Sequence, residues 1–142
     1  MKRLRQLIHL TAPERGLLLE AVAALSVSGL LLRMLRFSRV ASRLGRHMAE
    51  GPPLEDRATT STALRIRWAV ETASRHLPWK PVCLPQAVAA QWMLRRRGIA
   101  STLYLGVNPA ASFDAHAWVR AGTVIVTGGP REDGFAVVSS FA

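Results

Sequence analysis

The sequence has a single cysteine, Cys83, among its 142 residues. One cysteine cannot form an internal disulfide, so nothing in the chain indicates an oxidising compartment. The four histidines are scattered, and none has zinc-ligand spacing to the cysteine or to another histidine. We therefore expect no metal site and no cofactor.

Acidic residues are also scarce, with nine Asp or Glu against nineteen Lys or Arg and a net charge of +10. The imbalance is concentrated in residues 1–46, which hold nine Lys or Arg and only two acids, Glu14 and Glu20. A basic third of this kind suits an acidic partner, a nucleic acid or a membrane surface. A solvated basic face explains it equally well.

The sequence lacks a long uncharged hydrophobic run. The apolar segment from Leu17 to Phe37 contains Glu20 and Arg33, which leave twelve uncharged residues between them. A membrane-spanning helix needs about 20 apolar residues, so we expect a buried or interfacial helix here. No small-residue cleavage site follows, as a signal peptide would require. These features predict a cytoplasmic protein that does not span a membrane, with loose contact to a membrane surface left open.

Helical patterns fill the first two thirds of the chain. Thr11, with Glu14 three residues later, predicts a helix that begins there and runs to about Leu35. A basic amphipathic piece follows at 36–48, the Gly-Pro-Pro segment at 50–56 predicts a loop, and residues 60–77 predict a helix with Leu64, Trp68 and Ala69 on one face. Another helix is predicted from Leu84 to Arg97, with Gly98 as its stop and with Ala87, Ala90, Gln91 and Leu94 on one face.

After Gly98 the pattern changes to short segments rich in β-branched and aromatic residues, at 101–107, 115–121, 123–127 and 135–140. Turn residues separate them, which predicts an antiparallel sheet of about four strands. The fold class expected is therefore α+β, with N-terminal helices followed by a small antiparallel sheet. We expect a basic helical region at 1–50 and a core at 57–142, together forming one compact domain.

Cys83 stands between two prolines at the start of a predicted helix. A helix N-terminus offers unpaired backbone N–H groups and a partial positive charge, and both favour a thiolate. The same N–H groups can hold an oxyanion once the sulfur attacks a carbonyl. The alternative is that Cys83 is a small buried hydrophobic residue.

A nucleophilic cysteine needs a base, and the four histidines differ in their surroundings. His9 and His47 lie in the basic region, and His76 closes a helix before Pro78. His116 lies within a predicted strand, with Trp118 on the same face. A cysteine at a helix start, followed about thirty residues later by a strand histidine, recurs in papain-like and transglutaminase-like folds.

The segments "LPWKPVCLPQA", "MLRRRG", "LGV" and "AHAWV" carry a more specific resemblance. Together with the leucine-rich first helix and "RFSRVASRLGR", they resemble the leader-peptide proteases of lasso-peptide biosynthesis, which are small transglutaminase-like cysteine proteases. The resemblance covers essentially the whole chain. It implies a transglutaminase-like or papain-like fold, with Cys83 as nucleophile and His116 as general base.

The third catalytic residue departs from the family pattern, which places an Asp about twelve residues after the histidine. Here that position is Gly128, and Thr127 precedes it. Asp114, on the same strand face as His116, is the acid we predict to orient the imidazole. The alternatives left open are Glu132 and Asp133 in the following loop, the Thr127 hydroxyl and a backbone carbonyl.

The resemblance implies a cysteine peptidase that removes the leader from a ribosomally made precursor peptide. It also implies a small separate leader-recognition protein, because the chain is too short to hold that domain as well, and an ATP-dependent macrolactam-forming cyclase that takes the product. Two alternatives belong to other classes. One is a non-catalytic transglutaminase-like scaffold, and the other is a basic nucleic-acid-binding module, which lacks a recognised reading motif and is not expected.

Overall fold

The computed structural model describes residues 8–41, 57–108, 115–129 and 135–142. Four helices are followed by four strands: α1 (Ala12–Met34), α2 (Phe37–Ala41), α3 (Arg57–His76), α4 (Cys83–Arg96), β1 (Thr102–Val107), β2 (Ala115–Ala121), β3 (Val124–Thr127) and β4 (Ala136–Phe141). The predicted α+β class is confirmed. The described residues do not include the predicted loop at 50–56, His47, Asp114, Glu132 or Asp133.

The predicted start of α1 is confirmed. The Glu14 carboxylate accepts hydrogen bonds from the Thr11 backbone N–H at 2.7 Å and from the Thr11 hydroxyl at 2.8 Å. These bonds hold the pKa of Glu14 below its ordinary value, the backbone bond contributing most. The helix begins where it does because this carboxylate satisfies a donor that the first turn leaves unpaired.

The buried face of α3 differs from the predicted one. Leu64 is 48% exposed, whereas the residues facing the core are Ala63, Ile66, Ala69, Val70 and Ala73. The prediction was therefore right for Ala69 and wrong for Leu64. Three of these five residues are alanines, whose small side chains let α3 approach its neighbours closely.

Helix α4 is the most deeply buried of the described helices. Ala87, Ala90, Gln91 and Leu94 are all buried, as predicted, and α4 packs against α1, α3 and the sheet. Gly98, with φ +67°, ends it by adopting a backbone conformation that favours glycine. The Gln91 side chain donates from Nε2 to the Phe141 carbonyl at 3.0 Å and so joins the middle of α4 to the end of β4.

The sheet is antiparallel throughout, with strand order β3-β2-β1-β4. Alternation along each strand separates its two faces. Leu103, Ala117 and Val119 belong to the core cluster shared with the helices. Tyr104 and Trp118, which are paired across β1 and β2, lie on the other face. All helices that contact the sheet therefore cover one side of it.

Glu20 joins α1 to the end of α4. Its two carboxylate oxygens accept hydrogen bonds from Arg97 at 2.9 and 2.6 Å, and Arg96 lies 3.4 Å away. The Arg97 hydrogen bonds hold the pKa of Glu20 below its ordinary value of 4.5. Arg96 and Arg97 are thus engaged within the molecule, which weakens the nucleic-acid alternative.

We predict that Glu20→Gln lowers the free energy of unfolding near neutral pH by about 1 kcal/mol, as expected for a partly exposed ion pair. Because the folded state lowers the pKa of Glu20, its contribution is complete above about pH 4.5 and is lost as the pH falls further. Urea unfolding of both proteins across this range should show the difference shrinking in acid. Glu71→Gln, which removes an exposed pair with Arg67, is the matched control. A difference that stays constant down to pH 3 would contradict the assignment.

Candidate active site

Cys83 is the first residue of α4, preceded by Val82 in an extended conformation (φ −81°, ψ −177°). The turn before it contains Lys80 at φ 41°, a rare conformation for a residue with a side chain. Gln86 secures this turn, because its side-chain Nε2 donates to the Pro81 carbonyl at 2.7 Å. Cys83 is a free, half-buried thiol that packs against the edge of the core.

The first turn of α4 offers two backbone donors beside the sulfur. The first N–H groups of a helix have no partner within it, and Pro85 has no N–H. Gln86 N already donates to the Val82 carbonyl at 3.3 Å. Val82 has no side-chain acceptor, so it cannot cap the helix. The N–H groups of Cys83 and Leu84 are therefore the ones that can face an oxyanion.

Helix α1 fixes the position of this first turn. The Ser28 hydroxyl is buried and donates to the Pro85 carbonyl at 3.0 Å. This hydrogen bond joins residues far apart in the chain, and Pro85 lies two residues after Cys83. The start of α4 is therefore held by α1 as well as by its own turn.

His116, the second residue of β2, is held by a backbone carbonyl. Its Nε2 lies 2.6 Å from the carbonyl oxygen of Gly128. A carbonyl only accepts, so Nε2 must carry the proton, and in the neutral ring Nδ1 then has the free lone pair. The Gly128 carbonyl thus selects the tautomer of His116 and fixes its ring, as an orienting carboxylate does for a catalytic histidine.

Gly128 cannot be replaced by a residue with a side chain without local rearrangement. Its φ is +86°, and an added Cβ would lie 2.5 Å from the Trp118 Cβ and 2.7 Å from the Ala117 carbonyl oxygen. Gly128 is also the residue twelve positions after His116, where the family pattern has an Asp. At this position the backbone contacts the imidazole and there is no room for a carboxylate side chain.

The other groups considered for orienting His116 are Thr127, Asp114, Glu132 and Asp133. Thr127 pairs with Val119, which puts it on the helix side of the sheet, and in the described part of the chain its buried hydroxyl has no hydrogen-bond partner. It does not orient His116, whereas the carbonyl alternative is realised. Asp114 remains a prediction, as do Glu132 and Asp133. The spacing of twelve points to position 128, but no side-chain signal in the sequence marks the Gly128 carbonyl as the partner of His116.

Aromatic rings surround the imidazole, which is only 8% exposed. The Trp118 ring lies 6.0 Å from it at an interplanar angle of 23°, and the Phe135 ring lies at 5.2 Å. Trp118 in turn stacks on Tyr104 at 5.4 Å. Gly106, opposite His116 in β1, makes room for the indole, because a Cβ there would lie 2.8 Å from it.

We infer from the topology that Cys83 and His116 lie toward the same end of the sheet. Gln91 lies beside the start of β1, since it binds Phe141, the partner of Leu103. From Gln91 back to Cys83 the helix extends about 12 Å. The same distance along β1 covers about four residues. Four residues along β1 from Leu103 is close to Gly106, the partner of His116.

The two side chains do not make direct contact in this conformation. Within the described part of the chain, no hydrogen bond joins the Cys83 sulfur to the His116 ring. The reason lies in the alternation of β2. Ala117 and Val119 face the helices, so His116 and Trp118 face away from them.

A cleft of about 900 Å³ lies next to the cysteine turn. It is bounded by the last turns of α3 and by Pro81 and Gln86, which flank Cys83 in the chain; neither Cys83 nor His116 is among its lining residues. Arg75 and Lys80 give the cleft more positive than negative charge, with Glu71 as the acid present.

We predict that Gly128→Ala lowers the free energy of unfolding by about 2–4 kcal/mol, since it adds both backbone strain and a clash with Trp118. Gly98→Ala is the matched control, because Gly98 also has positive φ (+67°) but open space around it. The control should lose only about 1–2 kcal/mol. Equal losses in the two variants, measured by urea unfolding, would contradict the packing described for Gly128.

Comparison with known proteins agrees with this architecture. The model of the transglutaminase-like superfamily matches residues 30–140, well over half of the chain. No curated protein and no solved structure gives a significant match. A cysteine at the start of a buried helix, followed by an antiparallel sheet that carries a histidine, is the order along the chain expected of that family, although here His116 faces away from the helices. The chain belongs to the transglutaminase-like superfamily.

Proposed function

We propose that this protein is a cysteine peptidase that removes the leader from a ribosomally made precursor peptide of the lasso class. The superfamily includes cysteine peptidases, and the lasso assignment rests on the motifs around Cys83 and His116. The observation that carries the proposal is the 2.6 Å contact between His116 Nε2 and the Gly128 carbonyl. It prepares Nδ1 to act as a base at the end of the sheet where Cys83 begins α4.

The reaction follows from these groups. Nδ1 of His116 accepts the thiol proton as the Cys83 sulfur attacks the scissile carbonyl, and the resulting oxyanion accepts hydrogen bonds from the N–H groups of Cys83 and Leu84. The imidazolium then gives its proton to the leaving amine, which leaves a thioester. Nδ1 next takes a proton from water, hydroxide attacks the thioester, and the sulfur leaves as the acid is released.

The proposal requires the sulfur and the imidazole to approach each other when substrate binds. Catalytic hydrogen bonds often tighten only in the complex with substrate. The part of the site that would move is the short turn at 78–82, with its strained Lys80, because the Gly128 carbonyl holds His116. A peptide in the adjoining cleft would contact that turn through Pro81 and Gln86.

The partners belong to the same proposal. The precursor's leader would be delivered by a separate recognition protein, and the released core peptide would pass to an ATP-dependent cyclase. The positive charge of Arg75 and Lys80 in the cleft favours a substrate segment that carries acidic or polar side chains. No cofactor is needed for any step.

A non-catalytic scaffold is the second candidate. Two observations favour it: the Asp of the family pattern is replaced by Gly128, and Cys83 and His116 are not hydrogen-bonded here. The missing Asp is offset by the Gly128 carbonyl, which holds the His116 ring. A scaffold would bind the precursor without cleaving it, so activity separates the two candidates.

We predict that cleavage of the precursor, reconstituted with its recognition protein, is abolished in Cys83→Ala and falls about 100-fold or more in His116→Ala, the scale of a lost general base. His9→Ala, a change at an exposed histidine outside the site, should retain the wild-type rate. Cleavage is followed by mass spectrometry of the leader and core fragments.

Wild-type activity in Cys83→Ala would contradict the mechanism. Precursor binding without cleavage by the wild-type protein would favour the scaffold. An Asp114→Asn variant tests the predicted third residue: an unchanged rate would leave the Gly128 carbonyl, Glu132 and Asp133 as the groups that can orient the ring.

A further inference from the structure

The outward face of α1 is apolar along its whole length. On a helix with 3.6 residues per turn, its exposed positions at three- and four-residue spacing fall within about 80° of the circumference. None of them is charged or polar: Ala12, Gly16, Leu19, Ala23, Val27, Leu30 and Met34. Leu19 is 70% exposed and Leu30 is 57% exposed. We call these seven residues the outer stripe.

The opposite face of α1 is apolar as well. Leu17, Ala21, Leu25 and Ser28 are buried against α3 and α4. The helix is therefore apolar on both sides, with a mean hydropathy of 1.8 over its most apolar window and only 22% of that window buried. Helices of this kind are normally covered all round, so the outer stripe requires a surface to cover it.

The charges beside the stripe are positive. Arg15 and Arg33 lie just outside one edge, and both are exposed. The acid at the other edge, Glu20, is already bound by Arg97. Glu14 is turned toward Thr11. Arg36 and Arg39 follow the helix, and Lys2, Arg3 and Arg5 precede it in the sequence.

We propose that the outer stripe docks on an anionic lipid surface, with α1 lying in the plane of the interface. The stripe would enter the boundary between headgroups and acyl chains, while the border arginines contact lipid phosphates. Charge complementarity identifies this occupant, since an apolar strip bordered by cations fits a negatively charged bilayer.

A second copy of the chain fits less well. Antiparallel pairing of two stripes about Ala23 would place Arg15 of one copy near Arg33 of the other, along the same border. Two such like-charge contacts would oppose association. The stripe therefore favours a lipid surface over self-pairing.

Lying on the bilayer agrees better with the structure than spanning it. The inward face is joined to the domain by the Glu20–Arg97 pair and by the Ser28–Pro85 hydrogen bond. Extraction of α1 into a bilayer would break both contacts and expose the core beneath. With the helix on the surface, the start of α4 would lie about one helix diameter, roughly 10 Å, from the lipid.

The test is co-sedimentation of the full chain with vesicles of phosphatidylcholine, with and without an equal part of phosphatidylglycerol. We expect binding to the anionic vesicles that weakens as salt is raised. Leu19→Gln together with Leu30→Gln should reduce the partition coefficient at least tenfold, since each leucine buries apolar area in the lipid. Leu64→Gln, at an exposed leucine on α3, should leave it unchanged.

Two charge-reversal variants test the contribution of the border arginines. Arg33→Glu should weaken binding to anionic vesicles about tenfold at low salt. Arg57→Glu changes the net charge equally, at an exposed position outside the stripe, and should have a much smaller effect. Circular dichroism on each variant verifies the fold.

Three results would overturn the proposal. They are failure of the wild-type chain to bind anionic vesicles, equal binding by the double-leucine variant, and a dimer in sedimentation equilibrium that the double-leucine variant abolishes. The last would assign the stripe to a second copy. The inference is independent of peptidase activity, because vesicle binding is measured without substrate.

Discussion

The burial of α4 is the constraint on which the rest of the structure depends. Three of its seven buried residues are alanines, so α1, α3 and the sheet can all approach its backbone closely. Because Gln91 joins this helix to β4 and Ser28 joins its first turn to α1, the helix is held by both neighbours. The place of Cys83 is thus set by packing along the whole helix.

The histidine side of the site depends on a backbone group. Gly128 presents its carbonyl to His116 because positive φ and the absence of a Cβ let it lie against Trp118. A carboxylate adds charge to an imidazolium, whereas a carbonyl adds only a dipole, so the imidazolium is stabilised less. The proposed peptidase is therefore expected to be slower than one with a complete Cys-His-Asp set.

Much of the fold follows from local pattern. Interactions within a few residues mark where several elements begin or end. Examples are the capping box of Thr11 and Glu14, the helix stop at Gly98 and the β-branched segments that follow Gly98. The buried face of α3 could not be predicted in this way, because Leu64 and Ile66 are equally apolar and only the close approach of neighbouring elements selects between them. The carbonyl at Gly128 was foreseeable only as one alternative, since a backbone contact leaves no side-chain signature.

The central claim is that Cys83 is a nucleophile whose reactivity depends on His116. The most direct measurement is the rate at which iodoacetamide alkylates Cys83 near neutral pH, in the wild-type chain and in His116→Ala, with a free thiol as reference. The account predicts that the wild-type sulfur reacts faster than the free thiol and that His116→Ala loses most of the advantage, leaving only the part due to the start of α4. Equal rates for the wild type, the variant and the free thiol would contradict it.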